Sequence, residues 1–358
     1  MKKILLISFL SLLSLTQNSF SKNYDNNLNL PKGFEISIFA DNITQARQMT
    51  LSKNGTLFVG TRGRKVFAIS KDKKVYTIAD KLFAPNGVAI KGNDLYVAEV
   101  DKISKYENIE KNLAIPPKPQ TIYTGLNSNT HHGYRYIKFS PEGKLYISIG
   151  VPCNICEPKE EKLGTISRIN DDGSNFEIYA KGIRNSMGFD WSNKKELWFT
   201  DNGRDMLGDD LPPEEINRAT QKGQNFGYPY CHSGYISDPE FGKKHSCNEF
   251  KKPEIKLNAH VAPLGLTFYK GNKFSTKYNN QIFIAEHGSW NRSSPIGYRI
   301  STIFLKDNKV IENKVFLDGW LKDGSVSGRP VDIINYIDGS ILVSDDYANR
   351  IYQIKYIG

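Results

Sequence analysis

The chain has 358 residues and a formal net charge of +10, from 48 lysines and arginines against 38 aspartates and glutamates. The lysines are scattered and form no dense basic run, which argues against nucleic acid as a partner. The 29 glycines, 16 prolines and 12% aromatic residues are typical of short strands joined by tight turns. Amphipathic helical periodicity is scarce, so a helical or doubly wound α/β fold is disfavoured.

The first 21 residues have the pattern of a secretory signal peptide. Two lysines precede an apolar run over residues 4–15, and Ser19 and Ser21 are the small residues that a signal-peptidase site requires. The run is too short to cross a bilayer. We therefore predict export to the periplasm, a mature single domain over residues 22–358, and no transmembrane segment in the mature chain.

Six similar units follow along the chain, each with an apolar run, a turn and a second strand that ends in polar residues. The second strands begin at Leu57, Leu95, Leu145, Leu197, Ile282 and Ile341. Spacings of about 40 to 60 residues, with one longer interval, are typical of four-stranded propeller blades. The sequence thus predicts an all-β fold: a six-bladed β-propeller with four-stranded antiparallel blades and inserted loops.

Three further features support this architecture. Turns such as Asn54-Gly55 and Asp338-Gly339 carry the residues that tight hairpins need at positive φ. Residues 34–40 precede the first unit and would complete the last blade, closing the ring so that no strand edge is exposed. The long interval over residues 203–261 is rich in Pro, Gly, Asp and Asn and is predicted to be a functional insertion.

The four cysteines are predicted to form two local disulfides. An even number of cysteines in an exported chain favours disulfides. Cys153 and Cys156 form a C-x-x-C motif, but Glu157 stands where c-type haem attachment requires His. Zinc would need a second close pair, whereas Cys231 and Cys247 are far apart in loop-like sequence. We favour bridges Cys153–Cys156 and Cys231–Cys247 over a metal or redox role.

Polar side chains recur at equivalent phases of the units, and such positions converge on one face of a propeller. Those that precede inner strands are Arg47, Gln48, Asn86, His131, His132, Arg184, Asn185 and Arg329, and those that end second strands include Asp201, Asn202, His287 and Asp346. Arginine forks beside carboxylates suit a polyanionic ligand with a divalent cation. Each residue taken alone also has a structural interpretation, as a turn cap or an inter-blade ion pair.

Several stretches are more specific than the repeat: HHGYRYIKFSPEGKLYISIGVPCNIC, GIRNSMGFDW, TDNGRDMLGDDLPPEEINR, FGYPYCH, HVAPLGLTFY, AEHGSWNR and GRPVDI. With these, the chain from about Leu30 onward resembles the glucose/sorbosone dehydrogenase family. These are the soluble pyrroloquinoline quinone (PQQ) sugar dehydrogenases, and the sorbosone-dehydrogenase-like branch is the most similar. The resemblance implies PQQ and calcium at the channel mouth, and oxidation of an aldose or related sugar aldehyde or hemiacetal by hydride transfer to the quinone. A separate acceptor, a soluble cytochrome or the quinone pool, would take the electrons.

The resemblance also implies roles for individual residues. His132 falls where the family has its general base and His131 beside it, although counting from Arg135 exchanges the two. Arg184 and Asn185 match an Arg-Asn pair whose arginine approaches the reactive quinone carbonyl, so we expect His132 and Arg184 to be catalytic.

The predicted cofactor-binding residues are His131, Asn86, Arg184, Asn185, His287, Arg329, Arg47 and Gln48. Gly208, Asp209 and Asp210 resemble the calcium-binding loop. Two positions depart from the soluble glucose dehydrogenases: Val331 stands where a second arginine is common, and His287 stands near a lysine position.

Two other functions stay open at this stage. Calcium-dependent sugar-lactone hydrolases are also six-bladed, and PNGVAI with Asn86 resembles their metal-bearing strand. Their chemistry needs no arginines for a polyanion, so Arg184, Arg329 and His132 favour the dehydrogenase. A non-catalytic binding propeller is the third alternative, because a fold alone does not determine function.

Overall fold

The computed structural model describes residues 28–358, and the predicted signal peptide lies outside the described residues. Strands dominate this part of the chain. Its helical segments are four short 3₁₀ helices, at Ile109–Lys111, Gly242–Lys244, Cys247–Glu249 and Thr276–Tyr278. Within residues 28–358, no helix has the length and apolar character needed to span a bilayer.

The strands of the first half are β1 (Phe34–Ala40), β2 (Ala46–Leu51), β3 (Leu57–Thr61), β4 (Val66–Ile69), β5 (Val75–Ala79), β6 (Gly87–Lys91), β7 (Asp94–Ala98), β8 (Ile103–Tyr106), β9 (Gln120–Tyr123), β10 (Ile137–Phe139), β11 (Leu145–Ile149), β12 (Thr165–Ile169) and β13 (Glu177–Lys181). Those of the second half are β14 (Phe189–Trp191), β15 (Leu197–Asp201), β16 (Glu214–Ala219), β17 (Gln224–Asn225), β18 (Cys231–His232), β19 (Ile236–Ser237), β20 (Ile255–Leu257), β21 (Pro263–Phe268), β22 (Ile282–Glu286), β23 (Arg299–Lys306), β24 (Lys309–Leu317), β25 (Leu321–Lys322), β26 (Ser325–Val326), β27 (Pro330–Asn335), β28 (Ile341–Asp345) and β29 (Arg350–Tyr356).

These strands form six antiparallel blades, which confirms the predicted six-bladed propeller. Five blades are β2–β5, β6–β9, β10–β13, β14–β15–β16–β20 and β21–β24. The sixth consists of β27, β28, β29 and the N-terminal strand β1. A short strand, β17, pairs in parallel with β13, and β18–β19 and β25–β26 are small separate hairpins.

Ring closure joins the two ends of the described chain. The first strand pairs antiparallel with the last, with Phe34 opposite Tyr356. The Phe34 ring packs edge-on against Phe274, Tyr278 and Phe316, at centroid distances of 4.7, 5.4 and 5.0 Å. Residues 34–40 therefore complete the last blade as predicted, and they also bind it to the fifth blade.

The second strand of a blade is the most apolar part of each unit, because neighbouring blades cover both of its faces. All five residues are buried in β3, β11, β15, β22 and β28. A strand buried on both faces has a nearly continuous apolar run rather than strict alternation. This packing explains why the second-strand hydrophobes marked the repeat so clearly in the sequence.

Inner strands of different blades approach one another very closely around the propeller axis. A Cβ atom on Gly188 would lie 2.2 Å from the Leu264 carbonyl oxygen, and one on Gly265 would lie 2.4 Å from Asp332 Oδ1. Only glycine fits at such contacts. The middle of the axis is thus filled, and cavities lie at its two ends.

Both predicted disulfides are confirmed. Cys153 pairs with Cys156 and Cys231 with Cys247, with Cα–Cα distances of 6.2 and 5.3 Å. The first bridge closes a four-residue loop after β11, and the second fixes the insertion between β16 and β20.

Candidate active site

A cavity of about 310 Å³ lies at the axial end where loops precede the inner strands. Among the predicted residues, Arg47, His132, Arg184, Asn185 and His287 line it. The other residues in its wall are Arg62, Thr130, Tyr134, Met187, Asn202, Gly203, Asp205, Glu214, His260, Ala262, Leu264, Trp290 and Asn291. The structure thus brings together side chains from widely separated units, as the repeat predicts.

His132 is held in one tautomer. It has a left-handed backbone (φ 50°) and its Nδ1 lies 2.9 Å from the Val151 carbonyl oxygen. A carbonyl only accepts, so Nδ1 carries the hydrogen and Nε2 has a free lone pair. Burial, together with the charge of Arg184, lowers the pKa of His132 to about 2, so the ring is neutral at physiological pH. His131 is exposed and lies outside the cavity wall. Its ring is edge-on to that of His132, at a centroid distance of 4.2 Å.

Arg184 is buried, and four of its five N–H donors have acceptors within the described residues. Nε donates to the Asn154 carbonyl (2.8 Å) and Nη1 to the Asn202 carbonyl (3.1 Å). Nη2 donates to Asn154 Oδ1 (2.9 Å) and Asp205 Oδ2 (3.0 Å). One Nη1–H is left for a ligand. The guanidinium is therefore rigidly oriented.

Asn185, the next residue, presents an unsatisfied acceptor. Its Oδ1 is buried and has no hydrogen-bond partner within residues 28–358. Its backbone N–H donates to Asp201 Oδ1 at 2.7 Å, which fixes the turn that precedes β14. A buried amide oxygen without a partner is unfavourable in a finished structure and is typical of a group that meets a ligand.

A second set of cations is organised around Asp346. Arg47 Nη1 lies 3.1 Å and Arg62 Nη1 3.6 Å from Asp346 Oδ2, and His287 Nε2 lies 2.9 Å from Oδ1. Burial opposes ionisation of Asp346, but the His287 hydrogen bond and the two arginine charges outweigh it and lower the pKa of the carboxyl. Burial lowers the pKa of His287 to about 4. Two guanidiniums share one carboxylate here, so this side of the cavity stays electropositive.

Buried carboxyl groups lie behind the cavity on β15 and β16. Asp201 and Glu215 are register partners, and Glu214 lines the cavity. Burial raises the pKa of Glu214 to about 8 and also raises the pKa values of Asp201 and Glu215. At neutral pH Glu214 is predominantly protonated, so it adds little negative charge to the cavity.

Four predicted cofactor-binding residues lie outside the cavity wall: His131, which is described above, and Gln48, Asn86 and Arg329. Gln48 lies in the axial core. Its Nε2 donates to the Ile137 carbonyl and its Oε1 accepts from the Ile137 N–H, so its side chain links two blades. Asn86 accepts from Arg47 Nε (2.9 Å) and donates to the Arg135 carbonyl, so it orients Arg47. Arg329 donates to the carbonyl oxygens of His287 and Gly288, at 3.1 and 2.6 Å.

The polar groups of the predicted calcium loop have protein partners in this structure. The Gly208 carbonyl accepts from His260, Asp209 accepts from Ser293, and Asp210 pairs with Arg292 at 3.1 Å. None of the three loop residues lines the cavity. Within residues 28–358, no group of three or more His, Cys, Asp or Glu side chains could hold a metal ion. Oxygen-bearing side chains that line the cavity include Asn185, Asp205 and Glu214.

Sequence reasoning missed Arg62 and Trp290. Arg62 directly follows β3, a position equivalent to those of Asn202 and His287, and Trp290 lies further along the loop after β22. Trp290 is 69% exposed although it lines the cavity, so its ring forms part of the rim. The only available sequence signal was the position of both residues just after a second strand.

A second cavity, of about 300 Å³, lies at the opposite end of the axis. There the buried Asp190 pairs with Lys138 (3.0 Å) and Lys270 (3.4 Å), and these two lysines lower its pKa despite burial. This cavity has none of the predicted catalytic residues, because those precede the inner strands at the other end.

A family model for TrAA12-like proteins matches residues 28–315. The chain belongs to the TrAA12-like family. This membership confirms the resemblance to soluble PQQ-dependent sugar dehydrogenases and the predicted oxidoreductase class. An uncharacterized protein of Borreliella burgdorferi is 41% identical over 345 residues, which cover 92% of this chain and 91% of that one.

The following proteins of named activity have lower sequence identity to this TrAA12-like chain. The PQQ-dependent pyranose dehydrogenase of Coprinopsis cinerea is 22% identical over 330 residues, and the chain spans 44% of its length (77% of this chain). The holo PQQ domain of a pyranose dehydrogenase from that fungus superposes with a TM-score of 0.78 at 19% identity, covering 92% and 97% of the chains. A calcium structure of the Trichoderma reesei AA12 enzyme gives 0.77 at 21% identity, covering 92% and 97%.

Proposed function

We propose that the protein is a periplasmic, PQQ- and calcium-dependent dehydrogenase that oxidises an aldose or a related sugar aldehyde or hemiacetal. One observation supports this most strongly. Three guanidinium groups, from Arg47, Arg62 and Arg184, and the free Nε2 of a neutral His132 line the same cavity. Cations for a polyanion and a base for a hydroxyl group are thereby available within one site.

The residues present fit PQQ, a planar quinone with three carboxylates. Arginine binds carboxylates in a bidentate manner, and among the described residues Asp346 and Asp205 are the carboxylates that pair with the three guanidiniums. The unsatisfied Asn185 Oδ1 and the remaining Arg184 N–H supply polar partners at the inner end. When bound, PQQ would supply the hydride acceptor.

The residues of the chain would then perform acid–base and electrostatic tasks. His132 Nε2 would take the proton of the sugar hydroxyl, since its lone pair is free and Val151 fixes the ring. Arg184 would stabilise negative charge that develops next to its free Nη1–H, in an orientation set by four hydrogen bonds. The exposed ring of Trp290 would stack on an apolar sugar face at the rim.

Calcium dependence is part of the proposal, with Gly208, Asp209 and Asp210 as the candidate loop, although their polar groups have protein partners in this structure. Calcium prefers oxygen ligands, and Asn185 Oδ1, which has no partner within residues 28–358, is a further oxygen donor on a residue of the cavity wall. We expect a chelator to reduce turnover of reconstituted enzyme and added calcium to restore it.

The decisive assay reconstitutes the purified protein with PQQ, with and without calcium, and screens aldoses with a dye acceptor. We expect dye reduction that requires PQQ. A parallel assay of sugar-lactone hydrolysis distinguishes the lactonase alternative, which would hydrolyse lactones without any quinone. Turnover of lactones alone would reject the dehydrogenase.

A further inference from the structure

The four-residue Cys153–Cys156 loop directly contacts Arg184. The Asn154 carbonyl accepts from Arg184 Nε at 2.8 Å, and Asn154 Oδ1 accepts from Nη2 at 2.9 Å. The same Oδ1 accepts from the Asp205 backbone N–H at 2.8 Å, and Asp205 Oδ2 in turn binds Arg184 Nη2. Two of the four acceptors of the guanidinium thus come from a single residue inside the disulfide loop.

The loop itself is fixed at both ends. The disulfide joins residues only three apart, and the Tyr228 hydroxyl accepts from Cys156 N–H at 3.0 Å and contacts Cys153 Sγ at 3.4 Å. Tyr228 is buried, and its backbone N–H bonds to the Gly182 carbonyl at 3.0 Å. The residues that fix the loop, Cys153, Cys156 and Tyr228, have no role in the proposed chemistry.

We propose that Asn154, held by the Cys153–Cys156 bridge, is a positioning residue for Arg184, and that this bridge serves the site whereas Cys231–Cys247 serves stability. The inference rests on the proposed role of Arg184. Asn154 engages both Nε and Nη2, so it fixes the plane of the guanidinium and leaves one Nη1–H for a ligand. If the loop opened, the carbonyl and the amide of Asn154 would move away together, and Arg184 would keep only Asn202 and Asp205.

The two disulfides provide matched variants. A disulfide stabilises more when it closes a longer loop, so the bridge that spans 16 positions is expected to contribute more stability than the one that spans 3. We therefore expect opposite rankings: C231S/C247S lowers Tm more, and C153S/C156S lowers kcat more. The kcat of C153S/C156S should fall by about tenfold to 100-fold with KM for the sugar within about twofold, as expected for a displaced charge-stabilising group.

Single substitutions at Asn154 test the contact without opening the loop. Asn154→Ala removes the Oδ1 acceptor and should lower kcat by about tenfold or more. Asn154→Asp keeps that acceptor and should retain kcat within a few-fold. A kcat within twofold of wild type for Asn154→Ala, or equal losses in both substitutions, would overturn the proposal.

A spectroscopic readout is independent of turnover. The Nε–H of Arg184 is buried and hydrogen-bonded, so it should give a slowly exchanging ¹⁵N signal, assigned by its loss in Arg184→Lys. C153S/C156S should abolish the protection of this signal and C231S/C247S should preserve it; unchanged protection in C153S/C156S would contradict the proposal. If the wild type binds PQQ but oxidises no sugar, the proposed function fails. The exchange measurement would still test whether the Cys153–Cys156 loop positions Arg184.

Discussion

His132 has one occupied ring nitrogen and one free ring nitrogen, and this asymmetry is the basis of its assignment as base. Val151 fixes the tautomer, and burial keeps the ring neutral. His131 has no comparable support and is exposed. The geometry therefore favours His132 over its neighbour, a choice that residue counting alone left open.

Substitution of His132 should remove turnover without removing the cofactor site. We expect His132→Ala to lower kcat by about 10² to 10⁴-fold, the usual contribution of a positioned general base. PQQ binding should change little, because the arginines remain. The measurement is kcat for dye reduction alongside a PQQ titration, and turnover close to wild type would exclude His132 as the base.

The pH dependence of kcat/KM follows from the same residue. An unperturbed histidine would give an acid limb near pH 6.5. Because the pKa of His132 is lowered to about 2, its neutral form persists throughout the range from pH 5 to 8. We expect no loss of kcat/KM between pH 8 and pH 5 that His132 protonation would explain. An acid limb centred near pH 6.5 would contradict this environment.

Adjacent residues show how far sequence reasoning reaches at this scale. Arg47 and Gln48 were both predicted to bind the cofactor, yet Gln48 bonds to the Ile137 backbone and lines the opposite cavity, so only Arg47 reaches the proposed site. The phase of the repeat located His132, Arg184, Asn185 and His287 correctly at one mouth. Arg62 directly follows β3 as Asn202 follows β15, so the repeat did point to its position, whereas Trp290 lies further along the loop after β22.

At the scale of elements, partners that are distant in the sequence decide what a loop can do. Gly208, Asp209 and Asp210 look like a cation loop, but Arg292, Ser293 and His260 occupy their oxygen atoms. These partners lie in the loops that precede β21 and follow β22, more than 45 residues away, and no local pattern reveals them. Asp205 and Glu214, the acidic residues that do line the cavity, lie in the same sequence stretch, TDNGRDMLGDDLPPEEINR, but were not predicted.

Strand β16 gives a testable effect on stability. Burial, with the nearby Asp201 charge, raises the pKa of Glu215 above its unfolded value, so the folded state binds the proton more tightly. The resulting stabilisation is complete below the unfolded pKa and is lost as pH rises through the folded pKa. Apo-protein Tm should therefore fall between pH 5 and pH 9.

Glu215→Gln should reduce that fall, because glutamine does not titrate. Its amide can bond Asn217, whose Oδ1 is buried without a partner within residues 28–358. We expect a Tm about 2–4 °C above wild type at pH 9, equivalent to about 1 kcal/mol, and little difference at pH 5. Glu240→Gln, at an exposed position, is the control and should follow the wild-type curve. Parallel curves for wild type and Glu215→Gln would show that Glu215 does not titrate in this range.

At the scale of the whole molecule, the propeller depends on its first strand. The sequence predicted both the number of blades and the use of residues 34–40 to close the ring, because the apolar second strands mark each blade. It did not predict the aromatic cluster around Phe34, since those rings come from the fifth blade. Long-range packing of this kind depends on the closed geometry and has no local signature.

Phe34→Ala should weaken this closure. The half-buried ring contacts four aromatic side chains, so the substitution should lower the free energy of unfolding by about 2–3 kcal/mol. Urea denaturation measures this change. Glu35→Ala, exposed on the same strand, should change it by less than about 0.5 kcal/mol. Equal effects of the two substitutions would mean that strand pairing alone closes the ring.

The two axial cavities have similar volumes and each contains basic residues, but only one is proposed to hold PQQ. The most direct test is an absorbance titration of PQQ into apo wild type, Arg62→Ala at the proposed site and Lys270→Ala at the opposite end. We predict one site per chain, binding at least about tenfold weaker for Arg62→Ala, as the loss of one charged contact of about 1.4 kcal/mol implies, and unchanged binding for Lys270→Ala. Absence of PQQ binding to wild type, or weakening only in Lys270→Ala, would contradict the account.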